Sequence, residues 1–267
     1  MAKAICRALL IVTASLSVAF VLPGVARAEE PNALNVPGLD LAVGVGLIMA
    51  PAFTGAEGQK ISVAPYLNGS YKDVVDFDVL DGIRVNAVHA GDFSIGPAAR
   101  YRYGRSSNDA AEALHGLGSI DDSLEMGGFI GFDNGLYSAE ILALQDATGE
   151  NSGFLVEGRA SVGIPLGSGG LEIGPFIRYA GRTYMQTYYG VDAAQAAASG
   201  RSAYSPSAGF DLAGLQLNAM FPLGGRFSVR GFMEYDRLLG DATGSPFIER
   251  NGAQDQFSVG VFLVYAP

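Results

Sequence analysis

Tryptophan is absent from this chain, and cysteine occurs once, at Cys6. That count excludes a disulfide framework and a zinc site built on cysteine. Histidine occurs only as His89 and His115, so chemistry that needs several imidazoles has little to draw on. Charge is also scarce: Asp, Glu, Lys and Arg make up 16% of the 267 residues, against about 25% in an average soluble domain. Lysine is limited to Lys3, Lys60 and Lys72, and the formal net charge is −10. A chain this acidic lacks the basic surface that nucleic acid requires, so no nucleic-acid partner is expected. Beyond residue 28 no run of 18 uninterrupted apolar residues exists, so no transmembrane helix is predicted.

What is abundant is apolar side chain, at 49%, and glycine, with 37 residues. Such hydrophobicity excludes intrinsic disorder. Part of it belongs to residues 1–28, which read as a secretory signal. Lys3 and Arg7 form a basic start, Ala8 to Val25 an apolar stretch, and Ala26-Arg27-Ala28 a small-x-small cleavage site. An uncleaved anchor helix is the alternative. Cys6 precedes the apolar stretch and so is not a lipid-bearing cysteine. Cleavage after Ala28 removes the only cysteine and three basic residues, taking the charge to −13. Residues 29–38 then form a short periplasmic segment, and 39–267 remain to fold.

In that remainder the apolar pattern has a period of two. Leu171, Ile173, Pro175, Ile177 and Tyr179 alternate with Glu172, Gly174, Phe176, Arg178 and Ala180. Phe227, Val229, Gly231, Met233 and Tyr235 alternate with Ser228, Arg230, Phe232, Glu234 and Asp236. This is the strand period, not the helical one. Twelve segments qualify: 39–51, 60–71, 74–80, 82–89, 91–103, 123–133, 135–146, 153–164, 169–182, 209–222, 225–239 and 255–265. Several exceed ten residues, whereas soluble strands are usually about 5–6. With one exception, at the Asp81-Gly82 pair that suits a type I′ hairpin, the connections alternate between long and short. Long loops at one end and tight turns at the other are the order of an outer-membrane barrel. The predicted fold is an all-β transmembrane antiparallel β-barrel of twelve strands, with ten as the fallback. Glycine within its strands relieves crowding where they coil.

Three separated blocks resemble the MipA/OmpV family of outer-membrane proteins. The first runs His115-Gly116-Leu117-Gly118-Ser119-Ile120-Asp121-Asp122-Ser123-Leu124-Glu125-Met126-Gly127-Gly128-Phe129. The second is Tyr184-Met185-Gln186-Thr187-Tyr188-Tyr189-Gly190-Val191, followed by Ala194 to Gly200. The third joins Leu238 to Ala242, Ser245-Pro246 and Gln256-Phe257-Ser258. The resemblance runs from about Asn35 to Tyr265. It implies a Gram-negative outer-membrane barrel in contact with outer-membrane lipid. It also implies a non-enzymatic scaffold that brings a murein lytic transglycosylase to a murein synthase; a narrow porin-like channel is the alternative. One departure is the chain end, where Ala266-Pro267 follow the aromatic Tyr265.

No catalytic, cofactor or metal residue is expected. His115 lies near Asp121, Asp122 and Ser123, but a solvated loop histidine is the preferred reading. His89 closes a short strand. Neither is followed by the His-x-Ser-Asn-Gly motif of the outer-membrane phospholipase. Acids such as Asp109 and Glu112 lack the calcium-loop pattern Asp-x-Asp-x-Asp-Gly. Strand parity points Arg100, Arg102, Glu125, Glu157, Arg159, Glu172, Arg178, Arg230 and Glu234 into the lumen. Both signs are present, so pairing across strands and a narrow or blocked lumen are predicted. The loop 183–208 is the candidate contact element, with Tyr184, Met185, Gln186, Tyr188, Tyr189 and Tyr204. Asp192 is placed to cap a short helix there. The loop either plugs the barrel mouth or meets a partner. Its external position conflicts with a periplasmic partner.

Overall fold

A computed structural model describes residues 36–108, 112–149 and 153–267. The expected signal at 1–28, and nearly all of the segment 29–38, lie outside the described residues. The strands are β1 Leu39–Pro51, β2 Gln59–Tyr71, β3 Val75–Asp78, β4 Gly82–Val85, β5 Val88–Ala90, β6 Phe93–Arg102 and β7 Ser123–Asp133. They continue with β8 Tyr137–Asp146, β9 Phe154–Leu166, β10 Gly169–Ala180, β11 Gly209–Gly224, β12 Phe227–Leu238 and β13 Asp255–Tyr265. Each pairs antiparallel with its neighbours. β1 pairs with β13 from Val43↔Tyr265 to Met49↔Val259, and β4 and β5 both pair with β6, so the sheet closes on itself. β4 and β5 are two halves of one stave, which makes a closed barrel of twelve staves.

Alternation decides which side chain meets which solvent. Along β1, Val45 and Leu47 are 55% and 57% exposed, while Ile48, next in the chain and on the other face, is 1% exposed. Ile130, Ile141, Leu215, Val261 and Leu263 are exposed on the same outer surface of other strands. A soluble monomer rarely shows an apolar band this continuous; in a bilayer it is the lipid-facing belt. No helix among the described residues is long and apolar enough to cross a membrane. Inside, glycine makes room for rings. A Cβ on Gly46 would overlap the Phe262 ring, and one on Gly260 would overlap Phe232.

The connections sort by end. Those at 72–74, 91–92, 134–136, 167–168 and 225–226 are tight turns. Those at 52–58, 79–81, 103–122, 147–153, 181–208 and 239–254 lie at the opposite end. Three details differ from the sequence expectation. The segment 82–89 is broken at Asn86-Ala87, where Asn86 reaches back to the Asp73 carbonyl and the Asp76 carboxylate. The positive-φ pair of a type I′ turn is Lys72-Asp73, closed by Val74 N–H to the Tyr71 carbonyl; at Asp81-Gly82 only the glycine has positive φ. The segment 169–182 ends as a strand at Ala180, and a helix begins at Arg182.

A further irregularity shapes the site. The β10–β11 register shifts so that Arg178 faces Leu212 and Tyr179 faces Phe210, leaving Asp211 as the extra residue of a β-bulge. A bulge re-aims side chains. Here it turns Phe210 outward, 52% exposed, and buries both Asp211 and Leu212.

The lipid-facing assignment predicts that Leu215→Arg, on the outer face of β11, destabilises the barrel by about 2–4 kcal/mol in lipid. Equilibrium unfolding in vesicles checks this. An unchanged midpoint would place that face out of the bilayer.

Candidate functional site in the barrel lumen

The long-loop end is filled by the chain itself. Helix α1 Arg182–Tyr189, helix α2 Ala193–Ser199, a 3-10 turn Gly240–Ala242 and helix α3 Pro246–Asn251 gather there. Asp192 caps α2 in a capping box with Gln195, and Gly200 ends it with left-handed φ. Tyr184, Met185, Tyr189, Leu114 and Phe247 are buried in one apolar cluster with Leu142, Leu144 and Leu155 from the barrel wall. Polar contacts lock the loops together. Gln195 donates to the Leu117 carbonyl at 2.7 Å, and Arg201 to the carbonyls of Ala113 and His115 at 2.8 and 3.1 Å. Tyr204, half-buried, donates to the Asp241 carbonyl, and Ser245 to the Tyr189 carbonyl, both at 2.7 Å. The three family-like blocks therefore meet at this mouth.

Beneath the plug lies a belt of paired charge. Glu125 accepts from Arg102 at 2.5 Å and from Arg100 at 3.2 Å. Arg100 also reaches Glu157 at 2.9 Å, and Arg159 meets the same carboxylate at 3.2 Å. Arg84 holds Glu140 through two bonds of 2.7 and 2.9 Å. Arg178 grips the bulged Asp211 through two bonds of 3.1 and 2.7 Å, and the Tyr189 hydroxyl adds a third at 2.9 Å. Desolvating these ions is expensive, and the multiple bonds offset that cost.

The plug rests on the belt through aromatic faces. The Tyr184 ring is 5.2 Å from both the Arg102 and Arg178 guanidinium carbons and stacks on Tyr188 at 4.4 Å. Arg105 belongs to the plug itself. It lies between the Phe53 and Phe247 rings, 5.7 and 5.3 Å from their centres, and donates to the Tyr188 carbonyl at 3.5 Å. Burial among these groups lowers the Arg105 pKa to about 10. Burial likewise raises the Tyr184 and Tyr189 hydroxyls above the ordinary tyrosine range, and Asp211 adds to the effect on Tyr189.

The short-turn end differs. A cavity of about 410 Å³ opens there, lined in part by Asp73, Asp76, Asp133, Glu140, Glu172 and Gln216. A smaller recess of about 60 Å³ holds Arg230, which donates to the Tyr66 hydroxyl at 2.7 Å.

Each candidate side chain has a definite place. Arg100, Arg102, Glu125, Glu157, Arg159 and Arg178 sit in the belt, Glu172 in the open cavity and Arg230 in the recess. Glu234 is fully buried beside Asp236. Tyr184, Met185, Tyr188 and Tyr189 are buried in the plug, and Gln186 is half-buried. Strand parity and loop composition single out neither Asp211 nor Arg105. Asp211 is hidden from a parity reading by the bulge, and Arg105 by its place in a loop. His115 is exposed and does not join a cluster with Asp122, which instead accepts from Tyr101 and the Gly104 amide. Among the described residues no three His, Cys, Asp or Glu side chains form a metal-binding group.

The family profile described as MltA-interacting protein MipA matches residues 43–266. No curated protein matches the chain. Solved structures with a similar course include an outer membrane channel from Pseudomonas putida F1, 11% identical, covering 90% of this chain and 99% of that one at a TM-score of 0.43. The outer membrane protein OprD from Pseudomonas aeruginosa is 14% identical, with 87% and 66% covered and a TM-score of 0.34. A bacterial polysaccharide outer membrane secretin is 9% identical, with 85% and 98% covered and a TM-score of 0.38. Likeness at this level carries no argument about function.

Asp211→Asn leaves Arg178 buried without its counter-ion and is expected to cost about 3–5 kcal/mol, whereas an apolar double replacement, R178M with D211L, recovers most of that loss. Thermal unfolding of the three variants decides this, and equal losses would refute it. The tyrosines give an optical check. Phenolate absorbance should show a component rising well above pH 10, where free tyrosine titrates, and Y184F with Y189F should diminish its amplitude.

Proposed function

This chain belongs to the MltA-interacting protein family, and on that premise we propose that it is a non-enzymatic scaffold of the Gram-negative outer membrane. In this role it links a murein lytic transglycosylase to a murein synthase during cell-wall growth. The observation that carries the reading is the plug. Tyr184, Met185, Tyr189 and Phe247 are buried across the outer mouth. A barrel stoppered on its outer side serves as a membrane post and not as a route for solutes. The aromatic loop is spent on packing inside the mouth, which removes the conflict between its external position and a periplasmic partner. A partner meets the short-turn end, where the chain enters β1 and leaves β13. Cleavage of the signal after Ala28 belongs to the same reading, because export precedes insertion of a barrel.

A narrow porin-like channel is the second reading. The open cavity and its lining charges favour it. Planar-bilayer recording separates the two: the scaffold predicts no steady conductance from the folded barrel, and stable openings would sink it. Capture on immobilised barrel supplies the positive arm. A purified murein lytic transglycosylase and a murein synthase should be retained together, and failure to retain either removes the scaffold role.

A further inference from the structure

The cavity at the short-turn end has a charge imbalance that the belt does not explain. Its two arginines are already committed: Arg84 to Glu140, and Arg159 to Glu157, with Glu140 at 3.9 Å. The other acids in its wall are Asp73, Asp76, Asp133 and Glu172. The hydrogen bonds of three of them come from neutral donors. Asp76 accepts from the Asn86 amide at 2.8 Å, Asp133 from the Gly135 backbone at 2.6 Å, and Glu172 from the hydroxyls of Ser138 and Ser161. Against four carboxylates, only His89 remains as an additional ionisable base in the wall.

A second feature points inward to the same space. Gln216 is 3% exposed, lines the deep end of the cavity and has no hydrogen-bond partner for its side chain among the described residues. Directly across the strand pair from it stands Glu234, fully buried beside Asp236. Polar groups withdrawn this far from water are normally satisfied by a partner. The deep end therefore offers the Gln216 amide to something that enters from the rim.

The shape of the wall defines the class of occupant. A small inorganic cation needs several oxygens converging on one point. Here the carboxylates are dispersed, and no three of them converge as a metal site among the described residues. Between them the wall is apolar, with Phe129, Phe132 and Ala139. Dispersed acids separated by apolar surface match a chain of methylenes carrying ammonium groups, since alkyl stems pack on apolar wall while their charged ends seek carboxylates. The volume of about 410 Å³ falls within the range of small-molecule sites.

We propose that the cavity at the short-turn end is a binding site for a linear oligoamine, entering from the periplasm. The rim acids Asp73, Asp76 and Asp133 receive one ammonium group. Glu172 and Gln216 receive the other, and the rings of Phe129 and Phe132 cover the methylenes. This inference does not depend on the murein scaffold, because the site lies within the barrel wall and needs no partner protein.

The test is calorimetric titration of folded, detergent-solubilised barrel with spermidine at fixed ionic strength. Saturable binding with one site is expected. Triacetylspermidine, of the same length but without ammonium charge, should not bind, and magnesium at equal ionic strength should not displace spermidine. The double variant D133N with E172Q should bind at least tenfold more weakly while keeping the gel mobility of the folded barrel. Failure of spermidine to bind, equal binding of the acetylated analogue, or displacement by magnesium would each overturn the proposal on the wild-type protein alone. Undiminished binding in the folded double variant would overturn the residue assignment.

Discussion

Hydrocarbon supplies no partner for a backbone amide, so a strand that crosses it must be paired on both edges. The rest of this structure follows from that constraint. Meeting it requires β1 to find β13 and the broken β4–β5 stave to find β6. A ring of twelve staves encloses a lumen too narrow to leave opposing walls independent. Arg100 on β6 spans to Glu157 on β9, and Arg84 on β4 spans to Glu140 on β8. Charges that would be solvated in a wide pore are here each other's solvent. The paired belt then provides a cationic floor on which Tyr184 lies between Arg102 and Arg178. Barrel closure, charge pairing and plug are successive answers to one demand.

The plug also explains why distant stretches of sequence carry shared character. Residues around 115, 189, 200 and 241 are far apart in the chain, yet they exchange hydrogen bonds across the mouth. Gly116, with φ near +76°, lies so close to Ser199 that a Cβ there would meet backbone. Such contacts constrain several loops together, whereas loops on a barrel usually vary freely. Among the described residues the short-turn end has no equivalent assembly, so the two ends of the barrel differ in kind: a packed interior at one, a water-accessible charged recess at the other.

Much of this architecture was legible because strand parity and loop order are written directly into residue type. The alternation through Leu171–Ala180 identifies both the lipid face and the inward Glu172 and Arg178. The N-cap at Asp192 is legible for a similar local reason: a short acid followed three residues later by Gln195 is a capping box. Other features are set by contacts that no short window contains. Helix α1 reads Arg-Thr-Tyr-Met-Gln-Thr-Tyr-Tyr, a poor helix by propensity. Four of its side chains are buried against the lumen instead, so packing decides its form. Asp211 breaks the parity rule because one inserted residue reverses every later side chain relative to its partner. Arg105 lies outside any repeating pattern, and its role emerges only when Phe53 and Phe247 arrive from other loops.

The break at Asn86-Ala87 has a mechanical meaning. Elsewhere adjacent staves are joined by long ladders, such as the run from Leu39↔Tyr71 to Pro51↔Gln59. At the break, β4 meets β6 at only Ile83↔Ala99 and Arg84↔Ala98, and β5 adds three further pairs. A sparse ladder is a compliant seam, and this one is braced from inside by the forked grip of Arg84 on Glu140. The wall there behaves less like a continuous shell than like a panel held by a strut. Its stiffness depends on one largely buried ionic contact, while the rest of the shell keeps the rigidity of its amide ladders.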